Sequence, residues 1–160
     1  ARVKFIGALM TGLQASGLES IELSLDGVYA PRSTLDGSIL YKSHLVGVEF
    51  DQSSFVGVKM QESIIAGGSF LHSTFRSANL SGSVLDGVTV DHGDFEGADL
   101  SHVHITGASL RFANFRNATL SHANITGADL FGADLTGAIT TDIVLDGVNL
   151  PEPAGDCARS

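Results

Sequence analysis

Ala128-Asp129-Leu130-Phe131-Gly132 is followed at once by Ala133-Asp134-Leu135-Thr136-Gly137. Each five-residue unit holds a small residue, an acid, a central leucine, a variable residue and a glycine. The same step runs through most of the chain. Every fifth position from Leu35 to Leu135 is Leu, Phe, Ile, Met or Val, 21 positions without exception. Two positions before each centre the residue is usually small: Ala98, Ala108, Ala113, Ala118 and Ala123 in the second half, Ser33, Ser53, Ser63, Ser73 and Ser83 in the first. The residue between is polar or variable. A longer beat lies over this one: Gly7, Gly27, Gly47, Gly67, Gly87, Gly107, Gly127 and Gly147 recur every twenty residues. A fixed repeat of this kind decides architecture before local propensity does.

The pattern is not helical. A period of five with two inward positions does not match 3.6, and a glycine near every turn costs about 1 kcal/mol each in a helix. The inward pair at spacing two is strand-like, and the recurring glycine supplies the positive φ of a type II turn. A short extended step and a turn, repeated, wind the chain into a coil. Four units give twenty residues, so each coil has four sides and residue n lies above residue n+20.

The units Ala78-Asn79-Leu80-Ser81-Gly82, Ala98-Asp99-Leu100 and Ala113-Asn114-Phe115 carry the same small–Asp/Asn–apolar signature as the two quoted first. Over roughly residues 3–150 the chain resembles the pentapeptide repeat proteins. That resemblance implies an all-β fold, a right-handed quadrilateral β-helix of about eight 20-residue coils over residues 1–150, with 151–160 as a C-terminal tail. Coils ~4.8 Å apart make a rod of roughly 40 Å.

Columns read along the rod predict its interior. Phe55, Phe75, Phe95 and Phe115 form one aromatic ladder, and Phe50 and Phe70 begin a second. Ser33, Ser53 and Ser73, and Ser43, Ser63 and Ser83, form inward serine columns whose hydroxyls need partners. Ala15, Ser20, Ala30 and Thr140 give the terminal coils weaker centres. No capping helix is apparent, and Pro151-Glu152-Pro153-Ala154-Gly155 covers little. Solenoid ends need covering, so end-to-end stacking on a partner, or a place within a larger chain, is expected.

Composition narrows the function. One hundred and sixty residues suit one domain, and 18 acids against 9 bases leave a net charge of -9. This disfavours nucleic acid and anionic membranes as partners and favours basic ones. No apolar run reaches the ~18 residues of a membrane span. The apolar stretch 5–15 carries Gly7 and Gly12 on the lattice and so reads as fold, not as a targeting segment. The single cysteine, Cys157, excludes an internal disulfide framework. The expected protein is soluble, with the cytoplasm favoured.

The resemblance also brings an alternative function, because some family members protect bacterial DNA gyrase by mimicking duplex DNA. Duplex DNA shows about one charge per 1.7 Å, so such a mimic wants an axial acidic stripe. Here charges alternate along columns: Arg2, Glu22, Lys42 and Glu62; Arg76, Glu96 and Arg116; Asp91 under Arg111. Only ten residues follow Leu150, where the gyrase-directed members carry a dimerising module.

No catalytic, cofactor-binding or metal site is expected. Every glycine belongs to the repeat, and no nucleophile has a partnered base. The acids Asp86, Asp91, Asp94, Glu96 and Asp99 point to different sides of one coil, whereas a hard cation needs converging oxygens. His72 and His92, and His102 and His122, stack as surface residues. The candidate contact surface is one corner of the rod, made of Leu71, His72, His92, Arg111, Phe112 and Phe131, with adjacent exposed aromatics beside an arginine. The expected function is a non-enzymatic, rigid protein-interaction or scaffold module for a protein partner of unknown identity.

Overall fold

The computed structural model describes residues 4–150. The tail at 151–160 and Arg2, the first member of one charge column, lie outside the described residues. From Lys4↔Ser24 to Asp129↔Asn149, every bridge is parallel and joins residue n to residue n+20. The chain is therefore a four-sided β-helix whose coils are twenty residues long. Each side is one short extended step, and each corner holds a residue in the left-handed region, 16 glycines and 13 non-glycines.

One unit shows why the repeat has these residue types. Backbone donors taken out of water must all find acceptors. In Ala78-Asn79-Leu80-Ser81-Gly82, Asn79 N–H donates to the coil below at Val58 (2.8 Å), and Leu80 and Gly82 N–H donate to the coil above at Asp99 (2.8 Å) and Ser101 (2.9 Å). Ala78 N–H closes the preceding turn onto Phe75 (3.0 Å). Ser81 N–H has no ladder acceptor. Asn79 Oδ1 takes it at 3.0 Å. The same side-chain cap serves Ser101 from Asp99, Thr126 from Asn124, Phe131 from Asp129 and Thr136 from Asp134. Where the cap comes from the coil below, an acid one past the centre supplies it, as Asp26 does for Val46 and Asp36 for Val56. The Asp/Asn position is thus set by the one amide per unit that the ladder leaves over.

The interior is continuous from Leu23 to Ala133. Phe55, Phe75, Phe95 and Phe115 stack face to face at 4.8, 5.1 and 4.9 Å. Phe50 and Phe70 stack at 6.1 Å and meet the first ladder edge-on at 5.4 to 5.8 Å. Burying each ring contributes about 1.5–3 kcal/mol. Ala30, expected to mark a weak coil, is fully buried among core residues, while Ala15, Ser20 and Thr140 are partly or fully exposed. The serine columns are buried, and among the described residues no buried side-chain polar atom lacks a partner.

Ion pairs follow two rules. Lys42–Glu62 (3.2 Å) and Arg76–Glu96 (3.2 Å) run straight up a column, as expected. Others run diagonally over 18 residues: Arg76–Asp94, Arg111–Asp129 (2.9 Å) and Arg116–Asp134 (3.4 Å). The expected pairing of Arg111 with Asp91 below it is corrected here. Asp91 Oδ1 accepts the Ser109 hydroxyl (2.6 Å) and the Arg111 backbone N–H (3.0 Å), while the guanidinium reaches upward to Asp129. Exposed pairs of this kind contribute about 0–1 kcal/mol each.

Candidate functional site: a corner of stacked rings

The four corners differ. Corner A, which runs from Gly7 to Gly147, is glycine in every coil. Corner C, from Gly17 to Gly137, is interrupted only by Ser77 and Asn117. The remaining non-glycine corner residues lie on the other two corners, which are diagonally opposed. Corner B carries Arg32, Gln52, His72, His92 and Phe112. Corner D carries Glu22, Lys42, Glu62, His102, His122 and Asp142. An L-residue in the left-handed region costs roughly 1–2 kcal/mol. Glycine meets this geometry freely at corner A, whereas most positions of corners B and D carry side chains.

On corner B the side chains of His72, His92 and Phe112 are planar and stacked. His72 and His92 lie 4.9 Å apart at 11°, and His92 and Phe112 lie 5.0 Å apart at 12°. The column ends on Gly132. A Cβ there would stand 2.4 Å from Phe112 Cδ1, so the ring leans into the space that glycine leaves. Phe131 closes the stack edge-on at 5.5 Å and 89°. Arg111 lies over the Phe131 ring at 5.1 Å and 6.0 Å from the Phe112 centroid, within cation–π range. Phe112 is 47% exposed and Phe131 is 42% exposed.

Asp129 holds this group together and was not singled out by the sequence. Its Oδ1 accepts the Phe131 N–H at 3.0 Å and Asn149 Nδ2 at 2.8 Å, and its Oδ2 accepts the Arg111 guanidinium at 2.9 Å. The Phe131 N–H, then Asn149 and Arg111, hold its carboxyl below the ordinary aspartate range. The available signal was its place as the acid of the Ala128–Gly132 unit, one step before the centre.

Of the six residues named from sequence, His72, His92, Arg111, Phe112 and Phe131 form one contiguous cluster. Leu71 sits beside His72, half-buried, with its N–H bonded to Asp51 at 2.9 Å. The acids of the girdle are engaged by local partners, and Asp94 and Glu96 share Arg76. Asp86 bonds Thr106, Asp94 bonds Arg76 and Asn114, and Asp99 bonds Ser101. Among the described residues no three His, Cys, Asp or Glu side chains group to hold a metal, and no helix is long and apolar enough to cross a membrane.

Known proteins place this geometry. The sequence matches the pentapeptide repeats family in eight copies over residues 53–90 and 94–130. Among solved structures, it is similar to a trypsin-treated form of QnrB1, described as a plasmid-mediated fluoroquinolone resistance protein. Identity is 15%, coverage is 96% of this chain and 86% of that one, and the TM-score is 0.64. A second trypsin-treated QnrB1 gives 17% identity, 91% and 86% coverage and a TM-score of 0.50. HetL, a pentapeptide repeat protein involved in heterocyst differentiation regulation in the cyanobacterium Nostoc, is 19% identical over 95% of this chain and 93% of its own, with a TM-score of 0.38. No curated protein matches the chain in sequence. At these identities the QnrB1 likeness shows fold alone, the right-handed quadrilateral β-helix.

Proposed function

This chain belongs to the pentapeptide repeat family, and from that premise we propose that it is a rigid, non-enzymatic interaction module whose corner B docks a protein partner. The observation that carries the reading is the placement of His72, His92 and Phe112 at left-handed positions, stacked and ending in the exposed Arg111–Phe112–Phe131 group. Strain kept at a surface position points to a use for the side chain. Clustered aromatics beside an arginine are the composition of interface hot spots. A rod cross-braced by parallel bridges holds them in fixed register, which lowers the ordering cost of binding.

Mimicry of duplex DNA towards a topoisomerase is the second reading, favoured by the likeness in fold to QnrB1. The use of the acids weighs against it. Asp26, Asp36, Asp51, Asp86 and Asp91 each cap an amide of the next coil, and Asp94, Asp99, Asp129 and Asp134 cap an amide in their own turn. Their positions follow the backbone's needs, not an axial stripe.

The test is affinity capture from source-cell extract with native bait, a Phe112→Ser, Phe131→Ser double variant, and a Val56→Ser control at an exposed valine off this corner. A partner held by native and control baits and lost from the double variant supports corner B. Recovery of gyrase subunits by all three baits favours the mimic. No difference among the baits for any bound protein overturns the docking reading.

A further inference from the structure

The diagonal corner D is interrupted once. Glu22, Lys42 and Glu62 precede Gly82, and His102, His122 and Asp142 follow it. A Cβ built on Gly82 meets only Glu62 Cγ, at 3.8 Å, so the position is an open notch in a ridge of long side chains. Tyr41, Gln61, Glu62, Ser81, Ser101 and His102 line it.

The hydroxyl and backbone hydrogens of this lining are already committed, which leaves the Gln61 amide and the His102 ring as its other polar groups. The Ser81 hydroxyl donates to Asn79 Oδ1 at 2.8 Å, and the Ser101 hydroxyl donates to Asp99 Oδ1 at 2.7 Å. The Tyr41 hydroxyl donates to Glu62 Oε1 at 2.7 Å. The backbone N–H groups of Ser81 and Ser101 are taken by the same Asn79 and Asp99 oxygens, and those of Gly82 and His102 by the coil above. Three hydroxyls and a carboxylate therefore offer oxygen lone pairs to the notch, beside the amide of Gln61 and the ring of His102. Glu62 receives one donor on each oxygen, Tyr41 on Oε1 and Lys42 on Oε2 at 3.2 Å, and a carboxylate has about four acceptor sites. Together the Tyr41 hydroxyl and Lys42 keep Glu62 ionised below the usual glutamate range.

We propose that the Gly82 notch receives an arginine side chain from a basic segment of a partner protein. A planar guanidinium carries five donors in a fixed fork and no acceptor, which complements several separated acceptors better than a single ammonium does. The net charge of -9 favours approach of such a segment. Corner D lies across the rod from corner B, so this site stands or falls independently of the docking reading given above.

The test is an amide NMR titration of the full chain with the blocked tripeptide acetyl-Gly-Arg-Gly-amide. Its citrulline and lysine counterparts serve as controls. The expected result is saturable shifts centred on the Ser81, Gly82 and Ser101 amides. The citrulline peptide, isosteric but uncharged, should bind about tenfold more weakly, the scale of one lost charge-assisted contact. Gly82→Gln, which fills the notch at a corner that already accepts Lys42 and His102, should weaken the arginine peptide to the same degree. Shifts spread over acids on all four faces would overturn the proposal. So would equal binding of the citrulline peptide, or indifference to Gly82→Gln. Equal binding of the lysine peptide would overturn the assignment of arginine. If Gly82→Gln does not fold, the citrulline comparison on the native chain decides.

Discussion

The amide of Ser43 donates to the hydroxyl of Ser63, twenty residues later, at 3.0 Å, and that hydroxyl donates in turn to the carbonyl of Leu40 at 3.0 Å. The serine is inserted into the turn of the coil below and replaces its direct bond. Ser33, Ser53 and Ser63 donate upward in the same way. Above Ser73 and Ser83 stand Gly93 and Val103, which have no hydroxyl, and there the turns close directly onto Phe70 and Leu80 at 3.1 Å. Ser63→Ala is therefore expected to cost less than the ~1–3 kcal/mol of an orphaned buried donor, because the Leu40–Ser43 turn can close as the Leu80–Ser83 turn does. Chemical denaturation checks this. A loss near the top of that range would show that the turn cannot relax.

The two classes of phenylalanine separate interior from surface. Phe95 is buried between Phe75 and Phe115 at 5.1 and 4.9 Å. Phe95→Ala is expected to cost about 3–5 kcal/mol, concentrated in the coils that touch it because a solenoid couples nearest neighbours. Phe112→Ser should cost less than about 1 kcal/mol. Thermal melts with hydrogen exchange distinguish the two, and similar losses would place Phe112 in the core.

Gly132 makes room for Phe112. Gly132→Ala meets both a left-handed φ of 71° and a ring carbon 2.4 Å from the added methyl. The expected cost is about 1–2 kcal/mol from the backbone, plus displacement of the ring. With Phe112→Ala in the background only the backbone cost should remain. A double-mutant cycle reads the difference, and strict additivity would mean that the ring does not depend on Gly132.

Acid should weaken the C-terminal coils. Asp129 is held below its ordinary range first by the Phe131 N–H, and Asp134 first by the Thr136 hydroxyl and N–H, with Arg111 and Arg116 assisting. Depressed native carboxylates contribute stability above their unfolded pKa, near 4, which is lost as pH falls through the native value. The melting temperature should therefore drop between about pH 5 and about pH 2, with a shallower drop in Asp134→Asn. An identical slope in that variant would remove Asp134 from the cause.

The fold was legible because a five-residue beat is hard to satisfy by any other structure, and Leu35 to Leu135 keep it without a slip. The aromatic ladders and the pairing of Phe112 with Phe131 followed from counting by twenty and by nineteen. Two things did not. The Asp/Asn before each centre appeared merely polar, since the sequence does not show which amide the ladder leaves unpaired. Column position pairs Arg111 with Asp91, but Asp91 Oδ1 holds the Ser109 hydroxyl and a backbone amide, and the guanidinium's partner is Asp129. Periodicity fixes which residues are adjacent, whereas hydrogen-bond competition among them decides who pairs.

The most direct measurement places a photo-crosslinking phenylalanine analogue at His92 on corner B, and separately at Asn117 on corner C, in the protein within its source cells. Both positions are left-handed corners bearing side chains, and only the first belongs to the ring stack. The expected result is a discrete crosslinked partner from position 92 and none from position 117. The same partner crosslinked equally from both corners, or no partner from position 92, would contradict a docking role for the stacked rings.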